Sequence, residues 1–381
     1  MKALFAERRL VPLFVCGILG PFGGSVLSPM IPELREAFDT TTATIAWGFG
    51  AYFFPYATLL LVSGTLGEKW GRGRTIRVAV FLYALASLSC ASGASLWLFF
   101  GGRAAQGVVN AFMTPLLIAS LTDLAPKDRI GRVIGTYAAF QAIGGVLGML
   151  VGGVAADVGW RWAFVAIAVV AATLSWTLPK ARTSEGPVVV GMRSVLNRRM
   201  FLLGLVALTQ SIGPGGVQLL VALVGRDVLS LSGSATGVLL ITGSLTAVVL
   251  TPRWGAIIDR TGAKRATVLA LLLSMAGAVV LSQAKTTLAL VIVWAVVGAL
   301  VQCISTGFQA LAATGVPGNR GGGVSFVLSH RFLGHAIGPL IWVPVFERNV
   351  SFAYLGAALV GVLSISFVYA AQHDTLSEAV D

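Results

Sequence analysis

The feature that most constrains this chain is a series of twelve apolar runs, each about as long as a bilayer is thick. A helix needs roughly 20 apolar residues to cross the hydrocarbon core. The runs lie at about 10–30, 44–66, 76–94, 96–121, 133–156, 160–178, 200–224, 234–252, 266–283, 287–312, 322–345 and 351–371. Inside a bilayer each segment must satisfy its own amide and carbonyl groups, which favours helices. The sequence therefore predicts an all-α membrane protein with twelve transmembrane helices.

Composition supports this fold class. Hydrophobic residues make up 56% of the 381 positions and charged residues only 11%, whereas soluble domains are about a quarter charged. The 46 glycines suit closely packed membrane helices. The basic residues before the first run are typical of a secretory signal, but no small-residue cleavage site follows, so we expect no cleavage. The cysteines Cys16, Cys90 and Cys303 show no metal-ligand spacing and are expected to be small buried residues.

The net charge of +12 could indicate a nucleic-acid partner, but the positions of the basic residues exclude that interpretation. Of the 27 lysines and arginines, 20 fall in segments on one side of the predicted membrane and five on the other, and Arg103 and Arg331 lie within spans. An excess of basic residues marks the cytoplasmic side. We therefore expect a multi-pass protein of the cell inner membrane with both termini in the cytoplasm.

The chain is predicted to consist of two related halves. The longest polar interruption, at 180–199, is interpreted as a cytoplasmic linker between a six-helix bundle at 1–179 and a second at 200–381. A pattern of glycine, acid and base recurs 191 positions apart. Its first copy is Gly64, Glu68, Lys69, Gly71 and Arg72, and its second is Gly255, Asp259, Arg260 and Gly262. Such duplication is a known transporter design, and it predicts two pseudo-symmetric bundles.

The repeated pattern resembles the signature loop between the second and third helices of the major facilitator superfamily. The resemblance implies that the two acids latch a cytoplasmic gate, with Glu68 facing the start of the eleventh segment and Asp259 the start of the fifth. An acid is favourable near a helix N-terminus and near cations. Glu68 stands where the family usually has aspartate. The alternative is a charged cluster that only fixes the topology.

The fifth segment carries a second motif, a row of glycines that resembles the antiporter signature of the 12-helix drug:proton exchangers. Met149 stands where that family has proline. Pro29, Pro32, Trp47 and Tyr52 are also typical of those exchangers. Glycines at this spacing let helix backbones approach closely, so ordinary helix packing is the alternative. The motif residues are Gly135, Gly144, Gly148, Gly152 and Gly153.

Three polar residues of the fourth segment, Arg103, Gln106 and Asn110, share one helical face. They resemble the family's fourth-helix motif, whose arginine is linked to proton coupling. Polar groups inside a bilayer are costly and usually functional. The alternative for Arg103 is that its side chain snorkels to the outer interface.

Further polar residues are predicted to line a substrate and proton pathway. In the eleventh segment Arg331 and His335 share a face, whereas His330 points away from them and could instead bond a neighbouring helix. Glutamines suit a polar cavity because they both donate and accept hydrogen bonds, although each could equally join two helices. They are Gln141, Gln210, Gln218, Gln302 and Gln309.

The acids are as informative as the basic residues. None of the 15 acidic residues falls in the middle of a predicted span. A buried carboxylate is what an exporter of cationic drugs commonly uses. The central cavity is therefore expected to be positive and to favour anionic, zwitterionic or neutral amphiphiles. Histidine is then a candidate proton carrier, because its charge changes near neutral pH.

The predicted function is proton-coupled export of small amphiphilic compounds by alternating access. One alternative is uptake or exchange of an organic anion or another metabolite, and a lipid flippase or a sensor that does not transport are others. No nucleotide loop, metal spacing or nucleophile–base set indicates an enzyme. The expected partners are a small-molecule substrate, protons and membrane lipid, with no cofactor, no metal and no nucleic acid, and the chain is expected to be a monomer.

Overall fold

The computed structural model describes residues 10–125, 129–178, 197–313 and 320–377. Within these residues the chain forms twelve helical segments and no strand, as predicted. The first six are α1 (Val11–Ala37), α2 (Thr42–Lys69), α3 (Arg72–Ser92), α4 (Leu96–Leu124), α5 (Ile130–Val158) and α6 (Arg161–Thr177). The second six are α7 (Arg198–Val228), α8 (Gly233–Thr261), α9 (Ala263–Leu281), α10 (Thr287–Ala313), α11 (Arg320–Arg348) and α12 (Val350–Ser377).

Ten of these helices are long and apolar enough to cross a membrane, counting only the described residues. The two others have a physical reason for falling short. Helix α6 is apolar but has only 17 residues. Helix α11 has 29 residues, but His330, Arg331 and His335 make it less apolar.

The helices begin and end at residues that suit those positions. Polar side chains accept a hydrogen bond from the first free amides of a helix, as Thr41 does for α2, Ser95 for α4 and Asn197 for α7. Four described connections contain a glycine with positive φ, a conformation that side chains strongly disfavour, and two of these glycines belong to the repeated pattern. Gly71 separates α2 from α3 at φ +89°, and Gly262 separates α8 from α9 at φ +83°.

Several helices extend beyond their apolar runs. The sequence placed the repeated glycine–acid–base pattern in a loop, and this is wrong for most of its residues. Gly64, Glu68 and Lys69 lie inside α2, and the corresponding residues of the second copy, Gly255, Asp259 and Arg260, lie inside α8. Charged residues end an apolar run without ending a helix, because the backbone hydrogen bonds continue beyond the hydrocarbon.

Two segments are interrupted next to a proline, whereas α2 and α4 continue through Pro55 and Pro115. In α1 a 3₁₀ turn at Ser28–Met30 divides Val11–Ser25 from Ile31–Ala37. In α7 the predicted break at Gly213-Pro214 is confirmed, since a 3₁₀ turn at Pro214–Gly216 follows Arg198–Ile212. Proline has no amide hydrogen, so one helical hydrogen bond is missing where it occurs.

The chain divides into two compact units. Unit 1 is Met1–Val189 with Ser232–Gly237, and unit 2 is Val190–Leu231 with Val238–Asp381. The start of α8 therefore groups with unit 1, which the sequence did not predict. The linker predicted at 180–199 lies outside the described residues apart from its last three positions.

Candidate functional site

The fourth-helix motif lies in the interior of unit 1. Arg103, Gln106 and Asn110 are 0%, 1% and 2% exposed. The predicted shared face of these residues is therefore turned towards other helices of the bundle. The snorkelling alternative does not describe this structure, because a snorkelling arginine keeps its charged end in contact with water.

The guanidinium of Arg103 is held by main-chain carbonyls rather than by a carboxylate. It donates hydrogen bonds to the carbonyl of Gly23 in α1 at 2.8 Å and to that of Gly48 in α2 at 3.3 Å. A third donor reaches Oε1 of Gln106 at 2.8 Å. The ring of Tyr52 lies under the charge, 4.4 Å from the guanidinium carbon. One cation thus joins α1, α2 and α4. The carbonyl of Gly23 lies in the last turn of Val11–Ser25, before the 3₁₀ turn of α1, where carbonyls lack an intrahelical amide.

The other members of this cluster extend the same network. The amide of Gln106 donates to the Ser87 hydroxyl of α3 at 2.8 Å. The Tyr52 hydroxyl donates to the carbonyl of Gly20 at 2.7 Å and accepts from the Asn110 amide at 3.0 Å. Tyr83 donates to the carbonyl of Leu19 at 2.8 Å. The sequence did not single out Tyr83 or Ser87, since a tyrosine or serine in an apolar run gives no signal.

Gln141 stands apart from this network. It is partly exposed on α5, and its amide lies 3.5 Å from the hydroxyl of Tyr137, one turn earlier. Gln141 therefore has only a weak polar contact, whereas Gln106 is fully engaged.

The glycine row of α5 packs against α1. A Cβ added to Gly144 would lie 2.8 Å from Ile18 Cα, and one added to Gly148 would lie 2.7 Å from the carbonyl of Phe22. At Gly152 the same atom would lie 3.0 Å from Pro29. These three glycines are four residues apart, so they form one face on which the two backbones touch.

The two remaining glycines of the motif have different surroundings. Gly153 faces the Ser232–Gly237 segment of the same unit, where a Cβ would lie 3.1 Å from Gly237 Cα. A Cβ on Gly135 would meet nothing within 4 Å. The motif therefore contains four packing glycines and one that packing does not require.

The repeated pattern is asymmetric in its ion pairs. Arg72 at the start of α3 bonds Glu68 at 2.6 Å and also contacts the carboxylate of Asp123 at the end of α4. In the second copy the position of Arg72 is taken by Ala263. Asp259 and Arg260 are exposed. Within the residues that the structure describes, the two copies thus share the glycine turn, and the charge cluster is seen only at the first copy.

In unit 2 the polar residues gather around the break in α7. Gln210 is 1% exposed, and its Nε2 would lie 3.5 Å from a Cβ on Gly215. The Cε1 atom of His335 would lie 3.7 Å from the same point. The Gln210 and His335 side chains are therefore neighbours, and Arg331 lies one turn from His335 on α11.

The break itself is fastened to α11. The indole Nε1 of Trp342 donates to the carbonyl of Ile212 at 2.5 Å. That carbonyl lacks its usual helical partner, since the amide of Gly216 donates to Gly213 instead, at 2.9 Å. The ring of Trp342 packs against two glycines. A Cβ added to Gly216 would lie 3.0 Å from the ring, and one added to Gly356 would lie 2.6 Å from it, so a side chain at either position would crowd the ring.

His330 differs from His335 in its surroundings. Its ring packs against α7, where a Cβ added to Gly204 would lie 3.0 Å from the ring. The centroids of the His330 and Phe326 rings are 4.5 Å apart. The Nδ1 atom of His330 lies 2.9 Å from the carbonyl of Phe326. Its hydrogen bond therefore lies within α11, and its contact with α7 is packing against Gly204.

The other predicted glutamines do not all join this group. Gln218 is partly exposed on α7, and Gln302 is exposed on α10. The side chain of Gln309 lies outside the described residues, although its backbone is part of α10.

Comparison with known proteins settles the family. The family model of the Major Facilitator Superfamily matches residues 13–339 and 194–380. The chain belongs to the Major Facilitator Superfamily. Three solved transporters share the fold over 95–96% of this chain at 14–16% identity. They are a bacterial homologue of the human lysosomal transporter Spinster (TM-score 0.77, 96% of its chain), the nucleoside transporter NupG (0.75, 99%) and the human organic anion transporter MFSD10 (0.69, 99%).

Curated relatives within the superfamily match by sequence over part of the chain. The MFS-type transporter EfpA of Mycobacterium tuberculosis, described as uncharacterized, is 32% identical over 149 residues, 39% of this chain and 28% of its own. The puromycin resistance protein pur8 of Streptomyces alboniger is 29% identical over 156 residues (40% and 31%). The drug efflux pump JefA of Mycobacterium tuberculosis is 28% identical over 143 residues (37% and 28%). The match thus spans less than a third of each relative.

Proposed function

We propose that this superfamily transporter exports small amphiphilic compounds in exchange for protons, by alternating access. The observation that carries the proposal is the glycine face Gly144–Gly148–Gly152 of α5, which touches the backbone of α1. In this part of the antiporter-like motif, the spacing of the glycines lets α5 pack directly against α1. The names of the relatives pur8 and JefA, which refer to resistance and efflux, support the direction of transport.

The proposed substrate class follows from the charges inside the spans. Every described acidic residue lies between helices or within four residues of a helix end. Arg77 lies near the start of α3 and Arg253 lies beyond the apolar span of α8, which ends at Leu250, whereas Arg103 and Arg331 lie inside the apolar runs. A cationic substrate would meet no carboxylate there, and burying an unpaired charge is costly. Anionic, zwitterionic and neutral amphiphiles are therefore the proposed substrates.

His335 is the proposed proton carrier. It lies beside Gln210 at the break in α7, one turn from the charge of Arg331. A histidine can exchange a proton near neutral pH, and Arg331 can stabilise an anionic group when the histidine is neutral. Gln210 can orient the substrate through its amide. Arg103 is assigned a positioning role in unit 1, because each of its three nitrogens donates a hydrogen bond to a main-chain carbonyl or to Gln106.

The proposed location is the cell inner membrane with both termini in the cytoplasm. The support is the distribution of the basic residues, of which 20 fall on one predicted side of the membrane and five on the other. In this orientation the Glu68 and Asp259 ends of α2 and α8 face the cytoplasm. We propose that these two acids latch the cytoplasmic gate, and that the chain works as a monomer.

Accumulation assays in cells test the proposal. Cells that express the protein are loaded with the anionic dye anilinonaphthalene sulfonate, the neutral dye N-phenylnaphthylamine or the cation ethidium. We expect reduced accumulation of the first two dyes, and a protonophore should abolish the reduction. His335→Gln should abolish it as well, whereas the matched control His373→Gln, in the last turns of α12, should not. Export that survives collapse of the proton gradient would contradict the proposal.

The second candidate is uptake or exchange of an organic anion. The position of the positively charged Arg331 inside α11 is the observation that favours it. Transport into vesicles of defined sidedness separates the two directions. If Arg331→Gln leaves anion transport intact, the positive residue is not part of the pathway. A lipid flippase is a third outcome, which a fluorescent phospholipid in the same vesicles would reveal.

A further inference from the structure

A groove on the outer surface of unit 1 is not part of the proposed substrate pathway. It has a volume of about 670 Å³ and lies where the end of α2 meets α3 and α4. One end is basic, with Lys69 and Arg74, and the rest is apolar, with Val78, Leu82 and Phe112 among the lining residues. A groove of this composition fits a molecule with an anionic head and an apolar body.

The two basic side chains are available to an anion. Lys69 and Arg74 are both exposed, and neither forms an ion pair with another described residue. The nearest acids in the sequence and at the end of α4 are Glu68 and Asp123, and both are bound by Arg72. The charge at this end of the groove is therefore not neutralised by the protein.

The apolar part continues along α3 into the membrane. Val78, Leu82 and Leu85 are 48%, 43% and 47% exposed and recur at helical spacing, so they form one outward face. From Arg74 to Leu85 the helix rises about 16 Å, which is about half the thickness of the hydrocarbon core. An acyl chain of one leaflet has the same reach.

Trp70 marks the depth of the head group. It is 58% exposed and its ring stacks on Phe112, with centroids 5.5 Å apart. Tryptophan is enriched at the boundary between head groups and hydrocarbon. The ring is thus placed next to Lys69, at the level where a lipid phosphate would lie.

We propose that this groove is a binding site for an anionic phospholipid. Lys69 and Arg74 hold its phosphate, and one acyl chain lies along Val78, Leu82 and Leu85. An occupant at this depth must be soluble in the bilayer, which excludes free phosphate and soluble peptides. A zwitterionic lipid is disfavoured because the described residues offer its ammonium group no unpaired carboxylate here.

Quenching of tryptophan fluorescence by brominated lipids tests the site. The purified protein is placed in nanodiscs of phosphatidylcholine that contain brominated phosphatidylglycerol or brominated phosphatidylcholine. The signal of Trp70 is obtained by subtracting the Trp70→Phe variant, which keeps an aromatic ring against Phe112. We expect phosphatidylglycerol to be preferred at Trp70 on the order of 10-fold, because each basic residue near the surface adds attraction for anionic lipid.

Variants and salt show whether the two cations cause the preference. Lys69→Gln with Arg74→Gln should reduce the preference below about twofold, whereas the charge-matched control Arg253→Gln with Arg265→Gln should keep it. In the unaltered protein, raising the salt concentration to about 1 M should also weaken the preference, since the Debye length falls to about 3 Å. Equal quenching by the two brominated lipids, or a preference that survives both the double variant and high salt, would overturn the proposal.

Discussion

The guanidinium of Arg103 donates a hydrogen bond to the main-chain carbonyl of Gly23 at 2.8 Å, across 80 positions of sequence. A second bond to Gly48 joins the same group to α2. A charged residue in the middle of a helix would be expected to face a cavity or a carboxylate. Here it fastens helices together through carbonyls, which makes the geometry of the side chain as important as its charge.

Replacing Arg103 by lysine tests whether geometry matters. Lysine keeps the charge but cannot reach both carbonyls and Gln106 with one planar group. We expect Arg103→Lys to lower the free energy of unfolding by about 2 kcal/mol, since hydrogen bonds to charged groups are worth about 1.5–3 kcal/mol each. Thermal unfolding with a thiol-reactive dye measures this, because Cys16, Cys90 and Cys303 are free and buried.

The matched control for Arg103 is Arg161→Lys. Arg161 is exposed and lies over the ring of Trp160, 4.5 Å from its centroid, so a change within about 0.5 kcal/mol is expected there. If Arg103→Lys is as stable as the control and transports at the normal rate, the positioning role is wrong.

Replacing glycine by alanine in α5 should have opposite effects on stability at Gly148, which contacts α1, and at Gly135, which does not. Gly148→Ala would place a methyl group 2.7 Å from the carbonyl of Phe22 and force α1 and α5 apart. We expect a loss of stability of about 1–3 kcal/mol from overpacking, together with reduced transport. Gly135→Ala meets open space, and alanine is the better helix former by about 1 kcal/mol. Thermal unfolding of both variants should therefore give shifts of opposite sign, and equal shifts would contradict the close contact.

At the glycine turns of the repeated pattern, a substitution should strain the backbone even where there is room for a side chain. At Gly71 a Cβ would meet nothing within 4 Å, but φ is +89°. Gly71→Ala should destabilise the protein by about 1–2 kcal/mol, and Gly71→Asn should do less harm because asparagine tolerates this region better. Gly255→Ala is the control, because that glycine is helical and also meets nothing within 4 Å. An alanine at 71 that is harmless in thermal unfolding would show that the turn does not need glycine.

The break in α7 predicts a specific role for one indole nitrogen. Trp342→Phe keeps a ring between Gly216 and Gly356 but removes the donor to the carbonyl of Ile212. We expect a loss of about 1 kcal/mol of stability and slower transport of the dye that the protein exports. Trp176→Phe, at a position that is 85% exposed, should change neither property. Normal stability and rate in Trp342→Phe would mean that the hydrogen bond does not hold the break.

The sequence predicted the features that depend on side-chain polarity. The helix count follows from the apolar runs, and the break in α7 follows from Gly213 and Pro214. The positions of the described acidic residues, between helices or near helix ends, were also predicted, because burying a charge within a span is costly. These features could be predicted because the cost of burying a polar group is large and local.

The contacts that depend on the backbone could not be predicted. The acceptors of Arg103 are carbonyls of Gly23 and Gly48, and every residue has a carbonyl, so nothing in the sequence marks these two. The same reason hides the partner of Trp342. The end of the second helix was also placed too early. Hydropathy reports the boundary of the hydrocarbon, and α2 continues past that boundary through Glu68 to Lys69.

Proton movement driven by substrate tests the central claim most directly. The purified protein is reconstituted into vesicles that enclose a pH-sensitive dye, and a gradient of anilinonaphthalene sulfonate or N-phenylnaphthylamine is imposed without a pH gradient. Exchange predicts that protons move opposite to the dye that is transported, and that His335→Gln abolishes the proton signal while His373→Gln preserves it. Transport of either dye with no proton movement, or with protons moving in the same direction, would contradict the account.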